Sequence, residues 1–369
     1  MSHRFRVGAS TFVLAVVSPF LVACGGDDSS SDGGKDDLTF VIASAVVGPK
    51  EEVAVVAVAQ ELGYFEEEGI SVKTVNSDGS VAAAQAVGTG KGDVTAADAG
   101  SVLAAVEKNV DVVAVGGLVQ NWPWQFATMP GSDITKPEDL KGKKVGVISL
   151  ASGSAPYARA FIRSGGLDPE KDVELLPVGV GAQAMGALEG GDVDAIALYG
   201  QAYAVIENEG NELAYLENPD IFQGIRSITF TVAKDATEDD PEMVEGFLRA
   251  AYKAMLFSAQ NPEAAMRIGY KVFPSILGGD SVDERLAGDV VSLEAWLASA
   301  TPLEGEPADW TDWGAISEED WSKTQAYTLE AAQITGEIPL DDVWNDSFLD
   351  GANDFDVAEV VEQADTWSE

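Results

Sequence analysis

Histidine and cysteine are almost missing: the 369 residues hold one of each, His3 and Cys24, both near the N-terminus. The rest of the chain therefore has no Ser-His-Asp or Cys-His nucleophilic centre, no histidine or multi-cysteine zinc site and no internal disulfide. Basic residues are also scarce. Lys and Arg number 22 against 62 Asp and Glu, a net charge of −40. Such a surface repels phosphate backbones and anionic headgroups, which excludes nucleic-acid binding and polybasic adsorption to membranes. It is the charge of a well-solvated surface. After the N-terminal segment no run is long and apolar enough to span a bilayer. Carboxylate and lysine chemistry are what remain. The hydrophobic share of 46% and the charged share of 23% are an ordinary globular mix, and the length suits about two domains.

Residues 1–23 read as a secretory signal. Arg4 and Arg6 precede an apolar run from Val7 to Ala23, broken by Pro19. At about 17 residues the run is short for a retained membrane helix. It ends in Leu21-Val22-Ala23-Cys24, which resembles the bacterial lipobox, in which the cysteine is lipidated and the cut falls just before it. Residues 24–37 then form a lipidated cysteine and a tether, GGDDSSSDGGKDD, with no apolar residue to fold on. The expectation is an extracytoplasmic domain of a bacterium, lipid-anchored to the cell membrane at Cys24.

From Leu38 onward, short apolar runs alternate with helical stretches. Strands are expected at Leu38 to Ala43, Ile70 to Val75, Asp93 to Ala97 and Val110 to Val119, with helices between. A second series follows: strands at Lys143 to Ile148, Val173 to Val178, Asp194 to Leu198 and Ile228 to Ala233, with helices at Pro156 to Ser164 and Gln183 to Glu189. This alternation is the signature of mostly parallel α/β sheets. After Pro241 the chain reads as helical, over Pro241 to Gln260, Pro262 to Val272, Val282 to Leu297 and Glu318 to Thr335. One echo suggests duplication. Ala84-Gln85-Ala86-Val87-Gly88 leads to Gly92-Asp93-Val94, and Ala182-Gln183-Ala184-Met185-Gly186 leads to Gly191-Asp192-Val193. Two similar lobes follow from it. Ligands of α/β sheets sit beyond the carboxyl ends of the strands. The loops at Ser44 to Gly48, Asp98 to Ser101, Asn121 to Gln125, Ser149 to Ser154 and Tyr199 to Tyr203 are thus expected to converge.

Several motifs fail on inspection. Gly179-Val180-Gly181-Ala182-Gln183-Ala184 fits a dinucleotide turn, but the next strand ends in Tyr199 rather than an acidic residue. Gly88-Thr89-Gly90-Lys91-Gly92 lacks the spacing and hydroxyl of a P-loop. The acidic cluster Asp346 to Asp356 has Phe348 where a calcium ligand is needed. No spacing singles out a carboxylate pair for glycoside hydrolysis, so a carboxylate-based secreted enzyme and an adhesion module are minor readings. No cofactor, metal site or catalytic residue is expected.

Other motifs suit ligand binding. Ser149, Ser152, Gly153 and Ser154 precede a helix, where free N–H groups and hydroxyls either cap the helix or hold a polar ligand group. Trp122 and Trp124 flank Pro123 on a loop after a buried strand; they either stack on a flat ligand or pack a hinge. Tyr157, Tyr199 and Tyr203 have the same status. Asp98 either accepts hydrogen bonds from an amino group or caps the helix that follows it.

A set of segments carries a resemblance. Glu61-Leu62-Gly63-Tyr64-Phe65-Glu66-Glu67-Glu68-Gly69-Ile70, Gly90-Lys91-Gly92-Asp93-Val94, Asp139-Leu140-Lys141-Gly142-Lys143-Lys144-Val145-Gly146-Val147, Gly165-Gly166-Leu167-Asp168-Pro169 and Gly190 to Ala195 together resemble lipoprotein solute-binding components of ABC importers. The group includes sulfonate, nitrate and thiamine-pyrimidine binders. Val119-Gln120-Asn121-Trp122-Pro123, Gly314 to Trp321, Gly336-Glu337-Ile338 and Ser347-Phe348-Leu349 are similar to the thiamine-pyrimidine and riboflavin subset. A related pyrimidine synthase has an active-site histidine, which the mature chain lacks.

The resemblance implies a two-lobe periplasmic-binding-protein-like α/β fold of type II with a helical C-terminal extension. Residues 38–125 and 232–369 would form lobe 1 and residues 126–231 lobe 2. Hinge crossings are expected near Phe126–Met129 and Thr229–Ala233. It also implies a monomeric, non-enzymatic binder that closes on a small molecule and delivers it to an ABC permease with separate ATPase subunits. The expected ligand-binding residues are Ser44, Val46, Asp98, Trp122, Trp124, Ser152, Gly153, Ser154 and Tyr199. Basic residues near the expected site are few (Arg159, Arg163 and Arg226) and aromatics are many. The expected ligand is therefore a thiamine-precursor pyrimidine or another heteroaromatic such as a flavin, with alkanesulfonate, taurine or nitrate as the alternative.

Overall fold

The computed structural model describes residues 36–150, 152–302 and 305–368. The signal, Cys24 and nearly all of the tether lie outside them. Two five-stranded sheets form the frame. The strands are β1 (Asp36–Ile42), β2 (Ile70–Asn76), β3 (Val94–Asp98), β4 (Val112–Val119), β5 (Trp124–Thr128), β6 (Lys144–Val147), β7 (Glu174–Pro177), β8 (Ala195–Tyr199), β9 (Ala214–Tyr215) and β10 (Ile228–Ala233). The first sheet runs β2-β1-β3-β10-β4 and the second β7-β6-β8-β5-β9.

Each sheet has a parallel core and one antiparallel strand at the same place. In the first, β1 pairs parallel with β2 and β3, while β10 runs antiparallel to β3 and β4. In the second, β6 pairs parallel with β7 and β8, while β5 runs antiparallel to β8 and β9. The antiparallel strands are those by which the chain enters each lobe. Parallel strands end at the cleft, so a chain stepping directly across enters the other sheet at its cleft edge and must run the opposite way. The crossings fall slightly earlier than expected. Trp124 and Gln125 already belong to the second sheet, and Ile228 to Thr231 belong to the first. β5 was hidden because its five residues follow Pro123 and carry no alternation.

The duplication is present, in a different frame from the echo. Helices Ser80–Val87 and Ala182–Glu189 precede β3 and β8, and helices Ala99–Glu107 and Gly200–Asn208 follow them. Asp93 and Asp194 do the same work: each carboxylate accepts from the first-strand backbone, at Thr39 N (2.6 Å) and Lys144 N (2.9 Å). The matching letters of the echo are displaced by about one helical turn, but the order of elements holds.

The elements begin and end for local reasons. The first helix is π-helical over Glu52–Ala57 and α-helical over Val58–Glu61, and its run Val53 to Ala59 is fully buried. It stops at Gly63, which takes φ 81°, a left-handed conformation that a side chain disfavours. Asp240 and Asn261 cap helices Pro241–Gln260 and Pro262–Val272 through Met243 N and Ala264 N, with proline at each first turn. The apolar faces of both helices join the first lobe's core around Phe40, Phe230 and Phe247.

The C-terminal part does more than return to the first lobe. Helix Glu318–Glu330 buries Trp321 among first-lobe residues and Tyr327 among second-lobe residues. Arg226, just before β10, donates to Asp320 Oδ2 at 2.7 Å and to the Gln120 carbonyl at 2.7 Å. Arg163 donates to the Glu330 carbonyl at 2.7 Å. The helix thus straps the two crossings. It ends at Glu330, short of Thr335, and Ala332 takes φ 58°.

Candidate functional site

A cleft lies between the carboxyl ends of the two sheets. Its inner chamber, about 350 Å³, is lined by Ser44, Lys50 and Glu51 from the first lobe, Trp124, Tyr199 and Gln201 from the second, and Trp296 of helix Val282–Ala300. An outer chamber, about 650 Å³, adds Asp98, Ser101, Ser149, Gly153 and Gln333. The chambers share Ser44, Ser80, Trp124, Ile148, Ser152 and Ile228, so they form one continuous space. All five loops named from the sequence reach it.

The residues expected there divide. Trp124 opens β5 opposite Tyr199, which closes β8; their ring centroids are 5.6 Å apart with planes at 87°. Burial raises the Tyr199 phenol above its ordinary range. Gly153 makes room for this wall, since a Cβ there would meet Trp124 Cζ2 at 2.8 Å. Asp98 caps the helix Ala99–Glu107, accepting from Ser101 N at 3.1 Å, and also lines the outer chamber. The cap therefore does not take Asp98 away from the cleft. Burial raises its carboxyl to about 6. Ser152 lines the cleft, but its hydroxyl already donates to Ser149 O at 2.8 Å. Ser44 lines both chambers.

Trp122, Ser154 and Val46 lie elsewhere. Trp122 packs into an aromatic cluster at the crossing, against Tyr327 (4.8 Å), Phe222 (5.6 Å) and Tyr157 (5.9 Å). Its neighbours take up its faces, so it packs the hinge rather than the cleft. Ser154 is fully buried; its hydroxyl accepts from Ile148 N at 2.8 Å and fixes the loop. Val46 is 72% exposed and lines neither chamber. Tyr157 and Tyr203 are core residues. The Tyr203 hydroxyl donates to the carbonyls of β5 and β8 at Gln125 and Ile196.

Other groups at the cleft gave no signal in the sequence. Lys50 Nζ binds both Glu51 Oε1 and Glu52 Oε1. Burial alone would lower the Lys50 ammonium, but the two carboxylates outweigh it and hold it high. Burial raises Glu52 to about 7, against the pull of Lys50. Gln201 Nε2 donates across the lobes to Pro49 O at 2.9 Å and to Ser292 Oγ at 2.8 Å. Lys50 to Glu52 read simply as the acidic start of a helix, and Gln201 as the start of another. Their roles depend on the neighbouring lobe, which no local pattern encodes. The arginines are spent on other contacts: Arg159 pairs with Glu170, and Arg163 and Arg226 brace the strap. No group of His, Cys, Asp or Glu suited to a metal occurs among the described residues.

Residues 50–265 match the family model described as NMT1/THI5 like. The chain belongs to that family. Among its curated relatives, the riboflavin-binding protein RibY of Chloroflexus aurantiacus is 24% identical over 308 residues, covering 83% of this chain and 84% of that protein. The formylaminopyrimidine-binding protein of Halalkalibacterium halodurans is 26% identical over 214 residues, covering 57% and 64%. In three dimensions the chain is similar to the periplasmic aliphatic sulphonate binding protein SsuA of Escherichia coli. The TM-score is 0.65 at 17% identity, with 85% of this chain and 93% of that one covered. That likeness establishes the two-lobe periplasmic-binding-protein fold.

Proposed function

We propose that the protein is the extracytoplasmic solute-binding component of an ABC importer. It takes a small flat organic ligand, a thiamine-precursor pyrimidine or another heteroaromatic such as a flavin, into the cleft. The observation that carries this reading is the aromatic wall of Trp124 and Tyr199 at the cleft edge of β5 and β8, facing Ser44 and Asp98 of the other lobe. A flat ring stacks on such a wall while polar atoms from both lobes fix its edge. Riboflavin-binding and formylaminopyrimidine-binding relatives agree with it.

The ligand contacts both lobes, so it favours the closed arrangement. The lobes that move are the two sheets with their helices, hinged at residues 120–123 and 223–227. Ser44, Asp98, Trp124, Ser152, Gly153 and Tyr199 are the proposed ligand-binding residues. The ligand is bound and released unchanged, and the closed form docks on a permease served by separate ATPase subunits. The protein works as a monomer, anchored to the membrane by lipid at Cys24.

Thermal unfolding of the full chain with riboflavin, 4-amino-5-hydroxymethyl-2-methylpyrimidine, taurine, methanesulfonate and nitrate tests the reading. A ligand at ~100 Kd adds roughly 2.7 kcal/mol of stability. A shift with a heteroaromatic is expected; a shift confined to sulfonates or nitrate contradicts it. Metabolic labelling with palmitate, lost in Cys24→Ala, tests the anchor.

A further inference from the structure

The faces of the strap helix Glu318–Glu330 are divided between the lobes. On one face Trp321, 2% exposed, and Leu329 pack into the first lobe's core with Val102 and Leu103 of helix Ala99–Glu107. A Cβ on Gly100 of that helix would meet Thr328 Oγ1 at 3.3 Å, so the two helices lie close. After the strap, Thr335 N and Gly336 N donate to Glu107 Oε1 at 2.7 and 3.1 Å and tie the chain to the end of the same helix. On another face Tyr327, 5% exposed, and Ala331 belong to the second lobe's core. The Tyr327 ring lies 4.8 Å from that of Trp122 in the first crossing and 5.8 Å from that of Phe222, next to the second. Arg163 of helix Ser154–Ser164 reaches from the second lobe to the Glu330 carbonyl. A further interlobe contact, helix Val282–Ala300 on helix Gly200–Asn208, lies at the cleft, where Trp296 and Gln201 both line the inner chamber.

We propose that this helix is a pivot between the lobes, seated on the first and socketed in the second through Tyr327, and that it sets the resting lobe angle. Two short crossings alone leave two lobes free to rotate, because a few residues absorb the backbone change. An aromatic side chain enclosed in a packed core does not slide continuously; its surroundings repack or stay as they are. Rotation of the second lobe therefore turns about Tyr327, and a wide rotation must break the Arg163–Glu330 bond. The helix contact at the cleft is different in kind. It parts when the cleft opens, whereas the Tyr327 contact stays buried at every angle. The inference uses the two-lobe fold and not the identity of the solute, so it stands apart from the heteroaromatic reading.

Distances between nitroxide labels on the two lobes, read by double electron–electron resonance on the ligand-free full chain, test it. Cys24→Ala removes the native thiol, and Val75→Cys and Val180→Cys place one label on each lobe at exposed positions. One distance is expected in the otherwise unaltered protein, with any second population at most ~10%. Tyr327→Ala is expected to raise the ratio of other distances to that one at least ~10-fold, and Arg163→Gln about 5-fold. Leu329→Ala, on the first-lobe face, is expected to lower the urea midpoint and leave the distances unchanged. A broad spread in the otherwise unaltered protein overturns the proposal. So do unchanged distances in Tyr327→Ala, whatever Arg163→Gln shows. A spread in Leu329→Ala equal to that in Tyr327→Ala overturns it too, since loss of stability alone would then loosen the lobes. If Tyr327→Ala fails to fold by circular dichroism, unchanged distances in Arg163→Gln, which leaves the aromatic cluster intact, overturn it.

Discussion

Trp124 and Tyr199 are direct partners across the antiparallel register of β5 and β8, one opening its strand and the other closing it, with ring planes at 87°. Ile228 and Asp98 hold the same two positions in the first sheet, opening β10 and closing β3. The duplicated framework thus delivers two equivalent pairs to opposite walls of one cleft. One pair supplies aromatic surface and the other a carboxylate.

The two tryptophans next to Pro123 are expected to behave differently. Trp124→Ala removes the wall and should weaken heteroaromatic binding on the order of 30-fold, about 2 kcal/mol. Trp122→Ala empties a packed cluster and should cost roughly 3 kcal/mol of folding stability. Calorimetry and urea unfolding on both variants separate the roles. Equal effects on affinity would place Trp122 at the ligand after all.

Gly153 is tied to the same wall. The Cβ of Gly153→Ala would lie 2.8 Å from Trp124 Cζ2, so the indole must move. Gly153 itself has φ −58°, which alanine tolerates. Affinity is therefore expected to drop by about 10-fold while unfolding stability changes by less than ~1.5 kcal/mol. A stability loss without an affinity loss would mean that the loop, not the indole, absorbs the strain.

Asp98 makes a pH-dependent contribution. Burial lifts its folded-state pKa to about 6, above the ordinary carboxylate value of the unfolded chain. The folded protein then holds this proton more tightly than the unfolded one. Its contribution is most favourable below about pH 4 and declines as the pH rises toward 6, by on the order of 3 kcal/mol. Asp98→Asn keeps a helix-capping side chain and removes the titration. The stability difference between the two proteins, from urea unfolding at several pH values, should change across this window. A difference that stays constant would contradict the buried carboxyl.

Gln201 bonds from the second lobe to the first through Pro49 O and Ser292 Oγ. Losing its bonds to Pro49 O and Ser292 Oγ in Gln201→Ala should weaken the closed arrangement by about 2 kcal/mol. Small-angle scattering is expected to give a larger radius of gyration for the ligand-free variant. An unchanged radius would mean that the strap and the packing of helix Val282–Ala300 on helix Gly200–Asn208 set the lobe angle without it.

The sequence made the framework legible and the site only partly so. Strands such as Ile70 to Val75 and Asp194 to Leu198, and the proline-started helices after Asp240 and Asn261, follow from local signals and appear where those signals put them. Asp98, Trp124 and Tyr199 reached the cleft because they end or begin strands at the carboxyl edge. Trp122, two residues from Trp124, did not, because it lies before β5 in the crossing segment, where Phe222 and Tyr327 take up its ring. Glu51, Gln201, Trp296 and Gln333 come from four separate parts of the chain. Only tertiary packing brings them together, so no spacing announced them.

The cleft walled by Trp124 and Tyr199 is proposed to bind a heteroaromatic solute. Calorimetric titration of the full chain and of Trp124→Ala, with riboflavin and with 4-amino-5-hydroxymethyl-2-methylpyrimidine, tests it most directly. One-to-one binding of a heteroaromatic by the unaltered chain and at least ~10-fold weaker binding by the variant are expected. Binding of methanesulfonate or nitrate with no heat from either heteroaromatic, or an affinity indifferent to Trp124, would contradict it.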